Sequence, residues 1–325
     1  MLYIDSKNIN PYFNLATEEF LLKDKTDNIF MLWISEPSVI IGKHQNTLAE
    51  INYNYINQKK FFIARRLSGG GSVFHDKGNL NFTWILNGES GKLVDFKKFI
   101  NPVIDYLSQY DLNATYGGRN DILIGNKKVS GNAEHVYKNR TLHHGTLLFN
   151  TNLEHLRSSL KTEIDKYKDK AVKSVPHSVA NIKDFINNVI DLDSFRDNLK
   201  DYIKKIYGSQ SDYIFSQEEL LKIEELKKNK YETWDWNFGY SPEYIFTREI
   251  IINKIMISLK FKVVKGRISE VKIKNLKDVP LKKLIIKSLE NCLHRENDIV
   301  NSLMSNITDK EIIEINVENF SENLF

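Results

Sequence analysis

The sequence has one cysteine, little net charge and no long apolar segment, and each of these absences excludes a class of protein. With Cys292 alone among 325 residues, the chain cannot hold an internal disulfide framework or a zinc cluster made of several cysteines. No apolar run approaches the roughly 18 residues that a membrane-spanning helix needs. Because the N-terminus also has no signal-peptide pattern, we expect a cytoplasmic protein that does not enter a membrane.

The small net charge bears on the choice of partners. The chain has 46 Lys and Arg residues and 42 Asp and Glu residues, which gives a formal net charge of +4. This near-balance argues against a nucleic-acid-binding protein, since such surfaces need a local excess of basic residues. A mildly basic surface is still compatible with acidic partners. The sequence has no heptad pattern and no long exposed apolar helix, so we expect a monomer.

Helical and strand periodicities alternate along the chain without an internal repeat. They predict helices over 14–23, 96–107, 153–160, 193–207 and 280–293, and one that begins at Ser216. Asn14 is the predicted N-cap of the first helix, Pro102 indicates a kink or a late start in the second, and Ser216 forms a capping box with Glu219. The same periodicities predict strands over 61–65, 79–86, 121–125, 143–150, 255–263 and 268–273, and two more within 31–42. We therefore predict an α/β fold, with a large mixed-sheet domain over 1–245 and a small α/β domain over 246–325.

Three consecutive glycines, Gly69, Gly70 and Gly71, follow two arginines and lie between two predicted strands. The segment is neither a P-loop nor a dinucleotide fingerprint, because no Lys-Ser follows it and no helix begins there. Such a turn would hold a phosphate through its backbone N–H groups, whereas the simpler interpretation is a tight hairpin without a ligand. Arg65 and Arg66 fall on opposite faces if the strand persists, so at most one of them faces a ligand.

Two further clusters of small polar residues suggest a binding cleft. Lys127 and Lys128 precede a predicted loop over 129–133, and a third loop covers 173–182. A lysine beside an activated acyl phosphate would neutralise the charge on the transferring oxygens, although a solvated lysine pair is the simpler interpretation. His143 and His144 are adjacent on a strand and point to opposite faces, so they cannot bind one metal ion together.

The segment from Arg65 to Asp76, RRLSGGGSVFHD, with Gly78 and Asn79 after it, resembles the signature loop of the lipoate–protein ligase A family, RR-x-SGGGAVFHD-x-GN. Ser72 replaces the usual alanine, and Asn132 stands where serine is also common. The resemblance covers nearly the whole chain, through the segments 42–46 (GKHQN), 118–121 (GRND), 128–131 (KVSG), 143–147 (HHGTL), 174–175 and 179–181 (SV, VAN) and 236–239 (WNFG).

This resemblance implies a fold of the biotin/lipoyl ligase type and a two-step reaction. It also implies that 1–245 is the catalytic domain, which binds lipoate and ATP, and that 246–325 is an accessory domain. Lipoate and ATP, with Mg²⁺, would give lipoyl-AMP and pyrophosphate. The lipoyl group would then pass to one lysine of an apo lipoyl-domain protein, which is either the glycine-cleavage H protein or the E2 subunit of a 2-oxoacid dehydrogenase. The resemblance leaves open whether one or both acceptors are used, whether lipoate is preferred over octanoate, and whether the protein also performs amidotransfer.

The resemblance also assigns roles to individual residues. Lys128 would bind both the lipoyl carbonyl and the α-phosphate and is the expected catalytic residue. Asp121 would be the Mg²⁺ ligand, or would orient the adenylate with Asn120. The nucleotide and the acyl phosphate would be held by Arg66, Gly69, Gly70, Gly71, Ser72, Val73 and Asn79. His75, Gly71 and His144 would line the lipoyl tunnel, while Ser174 and Asn181 would border the adenine or ribose.

Four other functions are weighed against this one. An acyltransferase of related fold would need a cysteine nucleophile, but Cys292 follows the apolar rhythm of a C-terminal helix and is expected in the core. A biotin ligase usually has arginines inside its glycine run, and here they lie outside it. A non-catalytic lipoyl-binding protein would not need the lysine, and a nucleic-acid-binding module would need clustered rather than dispersed lysines.

Overall fold

The computed structural model describes residues 1–88, 94–118, 120–160, 166–175, 177–187, 189–208, 211–252, 254–306 and 316–325. Arg119, which belongs to the GRND segment, and Pro176, which belongs to the predicted loop over 173–182, lie outside the described residues. The chain separates into two units: Met1–Lys43, Phe61–Leu160 and Ser174–Thr233 form the first, and His44–Lys60, Lys161–Lys173 and Trp234–Phe325 form the second. The second unit thus begins before residue 246 and includes two earlier segments, while the assignment of a catalytic and an accessory domain stays a prediction.

The first unit contains a seven-stranded mixed sheet. Its strands, in spatial order, are β1 (Leu2–Asp5), β2 (Ile29–Trp33), β6 (Asn79–Asn87), β10 (Arg140–Leu148), β9 (Lys127–Tyr137), β8 (Asp121–Ile124) and β7 (Ala114–Tyr116). Only the pair β1–β2 is parallel. A smaller sheet places β3 (Ser38–Ile41) between the parallel β4 (Phe62–Arg65) and the antiparallel β5 (Val73–His75). The glycine-rich segment is therefore the connection from β4 to β5.

Helices cover the sheet of the first unit and complete its core. They are α1 (Pro11–Asp24), α4 (Phe96–Ser108), α5 (Leu153–Ser159), α6 (Leu192–Tyr207) and α7 (Gln217–Leu226), with a 3₁₀ turn at Ile182–Phe185 and a π-helical turn at Lys227–Tyr231. Apolar residues of α4 and α6 join those of the sheet, for example Phe99 and Phe195 with Phe82. Helix α4 runs through Pro102 from its N-cap, Asp95, so no late start is needed.

The second unit has an antiparallel sheet of four strands: β11 (Tyr167–Asp169), β12 (Tyr244–Ile252), β13 (Ile255–Val264) and β14 (Arg267–Lys274). Its helices are α2 (Thr47–Glu50), α3 (Tyr53–Lys59), α8 (Val279–Leu289), α9 (Glu296–Asn306) and α10 (Val317–Glu322). A π-helical turn occupies Asp235–Gly239. The hairpin turn between β13 and β14 lies at Lys265 and Gly266, which both have positive φ, +48° and +74°.

Three sequence-based predictions were wrong in detail. Helix α1 begins at Pro11 with Asn10 as its N-cap, since Pro at the first helical position needs no N–H partner, and the predicted cap Asn14 lies buried inside the helix. The expected loop over 129–133 belongs to β9, whose backbone groups pair with both neighbouring strands. Helix α8 ends at Leu289, so Cys292 lies beyond it, although its side chain does pack against the core of the second unit. The capping box of Ser216 and Glu219 is confirmed.

Candidate active site

The glycine-rich loop leaves β4 after Arg65 and enters β5 at Val73. Gly70 has a φ of +85°, a conformation that residues with a Cβ adopt only with strain. At Gly71 a Cβ would stand 3.0 Å from Ser174 Oγ and 3.2 Å from its Cα. The Ser72 N–H donates to the same Oγ over 2.9 Å. The glycines therefore allow the backbone of the loop to approach Ser174 closely, and Ser174 lies directly against the loop.

Both arginines of the motif are buried, and both bind backbone carbonyls. Arg66 donates through Nε to Ser68 Oγ (2.9 Å), through Nη1 to the Ile40 carbonyl (3.1 Å), and through Nη2 to the carbonyls of Gly69 (2.6 Å) and Gly71 (2.8 Å). Four of its five N–H groups are thus used within the protein. Burial lowers the pKa of Arg66 to about 10, which still leaves it charged at neutral pH. The structure gives Arg66 a direct role in shaping the loop.

Lys128 forms an ion pair with Asp121 across the strands β8 and β9. Its Nζ lies 2.7 Å from Asp121 Oδ1, a close ionic contact although not a well-aligned hydrogen bond. A β-bulge shifts the register between Ile122 and Leu123, so Lys128 stands opposite Leu123 and on the same face as Asp121. Gly131 is next to the lysine, since a Cβ there would be 3.2 Å from Nζ. About a fifth of the lysine side chain remains exposed, so it is open to a ligand.

The segment that follows Ser174 connects the lysine with the glycine loop. The Lys128 N–H donates to the Ser178 carbonyl (2.9 Å), and the Ala180 N–H donates to the Lys128 carbonyl (3.1 Å). His177 Nε2 lies 3.8 Å from Asp121 Oδ2. On the other side, a Cβ on Gly70 would stand 4.0 Å from the Ala133 Cβ of β9. The three clusters predicted from the sequence therefore do come together in the first unit.

Asn120 and Asn132 bind each other's backbone rather than facing open space. The Asn120 side chain donates to the Asn132 carbonyl, and Asn132 Nδ2 donates to the Asn120 carbonyl over 2.9 Å. Asn132 Oδ1 lies 3.1 Å from His143 Nε2, and His143 Nδ1 lies 3.0 Å from Glu134 Oε1. Burial lowers the pKa of His143 well below its usual value. Burial, together with Asp95, raises the pKa of Glu134 to about 7.

Neighbouring histidines of β10 point to opposite faces, as predicted. His144 faces away from His143, towards Ser68 and Glu18, with its Nε2 2.6 Å from Ser68 Oγ. His75 on β5 is buried beside Trp33, and its ring nitrogens have no hydrogen-bond partner among the described residues. Burial and the charge of Arg66 lower the pKa of His75 to about 3, so it is neutral.

Two of the predicted site residues, Asn181 and Asn79, form hydrogen bonds with neighbouring protein groups. Asn181 Oδ1 accepts from the Thr151 N–H (2.9 Å), and its Nδ2 donates to the Thr151 carbonyl (3.0 Å). Asn79 is fully buried and donates to Asn81 Oδ1 over 2.9 Å. A cavity of about 290 Å³ lined by Trp234 and Phe238 lies in the second unit and includes none of the predicted residues.

Mg²⁺, which the resemblance implies, would have few protein ligands here. No group of three or more His, Cys, Asp or Glu side chains suited to a metal ion occurs among the described residues. The single carboxylate of Asp121 still fits Mg²⁺, which commonly takes one or two carboxylates and completes its shell with substrate phosphates and water. The same described residues include no helix long and apolar enough to cross a membrane.

Sequence reasoning missed two side chains of this region, Glu18 and His177. Glu18 lies on α1 and is 3% exposed. A pair of carboxylates in the otherwise apolar stretch ATEEFLL was a usable signal, since a buried charge needs a partner. His177 belongs to the predicted loop over 173–182, in which the resemblance assigned roles only to Ser174 and Asn181.

Comparison with known proteins assigns this architecture to a family. A family model described as the lipoyl protein ligase A/B catalytic domain matches residues 10–204. Lipoate–protein ligase 1 of Staphylococcus aureus is 40% identical over 278 residues, which are 84% of each chain.

Solved structures of similar proteins agree with this assignment. A bi-partite lipoate protein ligase from Thermoplasma acidophilum, described with its E2 lipoyl domain, is 25% identical with a TM-score of 0.64 and covers 74% of this chain and 96% of its own. A lipoate–protein ligase A bound with ATP is 25% identical with a TM-score of 0.63, at 74% and 98% coverage. The chain therefore belongs to the lipoyl protein ligase A/B family.

Proposed function

We propose that this chain is a lipoate–protein ligase, which activates free lipoate with ATP and transfers the lipoyl group to a lysine of an apo lipoyl-domain protein. The observation that carries the proposal is the cationic Nζ of Lys128, which Asp121 holds on the strand beside the glycine loop. Family membership supports it, as do the relatives named as lipoate–protein ligases and the ATP bound by one of them.

In the first step, a carboxylate oxygen of lipoate attacks the α-phosphorus of ATP, and the bond to the departing pyrophosphate breaks. The new lipoyl-AMP anhydride and the transferring oxygens carry negative charge. Lys128 would stabilise that charge, and the backbone N–H groups of Gly70, Gly71 and Val73 would bind the phosphate oxygens, while the Ser72 N–H donates to Ser174 Oγ. These groups are fixed before the substrate arrives, so they lower the barrier without reorganising.

Arg66 would contribute mainly through the loop. Because four of its N–H groups already bind Ser68 and three carbonyls, it has at most one left for a nucleotide. Direct contact of Arg66 with the nucleotide stays a prediction, as do the assignments of Ser174 and Asn181 to the adenine or ribose and of Asn79 and Asn120 to the site.

Asp121 is the residue that would hold Mg²⁺, together with nucleotide phosphates and water. When bound, the ion would supply positive charge that offsets the charge of the triphosphate. The carboxylate also keeps Lys128 on the correct face of the sheet.

The lipoyl tail would lie against His75 and His144. A neutral, buried imidazole beside an indole suits an apolar dithiolane better than a charged side chain would. In the second step, the amine of the acceptor lysine attacks the lipoyl carbonyl carbon, the bond to AMP breaks, and the amine loses a proton. The acceptor would be the glycine-cleavage H protein or a dehydrogenase E2 subunit, and the E2 lipoyl domain described with the archaeal relative supports that class.

The protein would act as a cytoplasmic monomer in the salvage of free lipoate. The cysteine-dependent alternative is disfavoured, because burial raises the pKa of the Cys292 thiol to about 11. A thiol protonated at neutral pH is a poor nucleophile.

The experiment that tests this function is pyrophosphate release from ATP and Mg²⁺, with and without lipoate, combined with mass spectrometry of the small molecules. We expect lipoate-dependent pyrophosphate and a product with the mass of lipoyl-AMP. Lipoate binding without either product would contradict the ligase and favour a lipoyl-binding protein.

A further inference from the structure

A series of hydrogen bonds in the first unit connects the glycine loop to Glu18 on α1. Arg66 Nε donates to Ser68 Oγ over 2.9 Å, and Ser68 Oγ lies 2.6 Å from His144 Nε2. His144 Nδ1 lies 3.0 Å from Glu18 Oε2. All four side chains are buried, and Ser68 is completely so.

A second branch reaches the same carboxylate from the opposite side. Trp33 Nε1 on β2 donates to Thr83 Oγ1 on β6 over 3.1 Å, and Thr83 Oγ1 lies 2.6 Å from Glu18 Oε1. Glu18 is thus the point at which two hydrogen-bonded branches meet. We call the six residues Arg66, Ser68, His144, Glu18, Thr83 and Trp33 the Glu18 network.

The chemistry of the two ends fixes the direction of each bond. A guanidinium and an indole N–H can only donate, so Ser68 and Thr83 accept from them. The hydroxyl hydrogens of Ser68 and Thr83 are then donated to the next acceptors, His144 and Glu18. Ser68 then donates to His144 Nε2, and the imidazole hydrogen stands on Nδ1, where the Glu18 carboxylate accepts it. An imidazolium would instead donate at Nε2 and leave the Ser68 O–H without an acceptor among the described residues.

We propose that Glu18 is a positioning residue for the ligase reaction: it holds His144 as the neutral Nδ1–H tautomer and, through Ser68, sets the start of the glycine loop. A carboxylate that accepts from Nδ1–H is an established means of fixing an imidazole's tautomer and orientation. The catalytic part of this inference rests on the proposed function, which assigns the loop to the acyl-adenylate.

A change at Glu18 would reach the glycine loop because Arg66 binds both Ser68 and the carbonyls of the loop. The guanidinium that donates to Ser68 also holds the carbonyls of Gly69 and Gly71. If Ser68 turned away from His144, the guanidinium would lose one of its fixed acceptors, and the N–H groups that face the phosphate would shift. Misplacement of this kind lowers the rate of a reaction without removing any group that touches the substrate.

The tautomer is a direct test that does not depend on activity. We would label the full-length protein with ¹⁵N-histidine, record its imidazole resonances at neutral pH, and assign His144 by the signals lost in His144→Gln. We expect a protonated Nδ1 and an unprotonated Nε2. An Nε2–H tautomer or an imidazolium at His144 would overturn the proposal.

The variant Glu18→Gln tests the catalytic part. His144 Nδ1 lies 3.1 Å from Glu18 Oε1, which accepts from Thr83, and 3.0 Å from Oε2. A carboxamide has one accepting oxygen and a nitrogen that only donates, so Thr83 and His144 must share one neutral acceptor in place of a carboxylate. We expect kcat for lipoate-dependent pyrophosphate release to fall about 10- to 100-fold, with a smaller change in the KM for ATP. A wild-type rate for this variant would overturn the positioning role.

Glu19→Gln is the matched control. Glu19 is the adjacent carboxylate, 2% exposed, and binds Lys230 and Tyr231 outside the Glu18 network. It should lower the melting temperature, yet leave kcat within about threefold and the His144 tautomer unchanged. An equal loss of activity in both variants would reduce Glu18 to a structural residue. A wild-type protein with the predicted tautomer but no pyrophosphate release would instead overturn the proposed function, while the network would stand.

Discussion

Lys127 and Lys128 are adjacent in sequence but differ in their surroundings, and this difference allows a sharp test. Lys128 pairs with Asp121 in the candidate site, whereas Lys127 Nζ donates to Ser178 Oγ (2.7 Å) at an exposed position. We expect Lys128→Ala to slow lipoyl-AMP formation by about 10²-fold, the scale of losing one positioned group that stabilises an anion. Pyrophosphate release measures this step. Lys127→Ala serves as the control and should stay near the wild-type rate, and near-normal release by Lys128→Ala would show that the wrong lysine was chosen.

Glu134 gives a prediction about stability and pH. Burial raises its pKa to about 7, above its ordinary value of 4.5, so the protonated form is favoured in the folded state and can donate to His143 Nδ1. The stability that it contributes is fully present below pH 4.5 and is lost as the pH rises through about 7. Glutamine keeps the donor at every pH. We therefore expect Glu134→Gln to be more stable than the wild type at pH 8, by about 2 kcal/mol, and equal to it at pH 5.

Urea unfolding of both proteins at the two pH values measures this difference. The comparison removes the effects of the other histidines, since both proteins share them. A variant less stable than the wild type at pH 8 would mean that Glu134 and His143 form an ion pair instead.

Single residues were predicted unevenly from the sequence. The family motif identified Lys128, Asp121 and the glycine loop, and the structure brings them into one unit. Spacing along the chain gave no sign that Glu18 would meet His144, because 126 residues separate them. Asn181 and Asn79 matched the motif, yet their side chains bind neighbouring protein groups, which only the three-dimensional arrangement reveals.

At the scale of secondary structure, β10 depends on having no side chain at Gly145. A Cβ there would stand 2.1 Å from Asn132 Oδ1 and 2.4 Å from Phe82 Cζ, both held in buried neighbouring strands. We expect Gly145→Ala to lower the free energy of unfolding by about 3 kcal/mol, because the strands cannot separate without breaking their ladder. Circular dichroism during urea unfolding measures this loss.

Gly125→Ala is the control for this prediction. Gly125 has a φ of +59° and no atom within 4 Å of an added Cβ, so only backbone strain of about 1 kcal/mol is expected. Equal losses in the two variants would show that the close contacts at Gly145 relax easily.

Periodicity predicted most elements but not their exact ends. The strands β6, β10 and β13 were found where expected. Buried and exposed residues alternate along β13, whereas β6 and β10 are buried on both faces along most or all of their length. Small residues between Val129 and Ala133 suggested a loop, yet pairing with β8 and β10 keeps them extended. The N-cap of α1 was misplaced because two asparagines, Asn10 and Asn14, were both suitable in type, and Pro11 decides between them.

At the scale of the whole molecule, the two units combine segments that are far apart in sequence. The segments 44–60 and 161–173 belong with Trp234–Phe325. A local pattern does not state which distant segment an apolar face will meet, so the predicted boundary at residue 245 followed the chain's order instead. Contacts between distant segments decide which residues form one unit, and the pattern of consecutive residues does not predict those contacts.

The surroundings of Cys292 lead to a prediction about the reaction route. Burial raises the pKa of its thiol to about 11, so the nucleophilic thiolate is scarce at neutral pH. We expect Cys292→Ser to keep at least half of the rate of lipoyl transfer, and the wild type to form no hydroxylamine-sensitive acyl-enzyme. Loss of transfer in this variant, with the fold intact by circular dichroism, would support the thioester route.

The most direct test of the account is the mass of an acceptor protein. Purified enzyme would be incubated with lipoate, ATP, Mg²⁺ and an apo H protein or E2 lipoyl domain, and the acceptor would be weighed by intact-mass spectrometry. We expect a gain of one lipoyl group on one lysine, absent when ATP is omitted. An acceptor that gains no mass, in a reaction that releases no pyrophosphate, would contradict it.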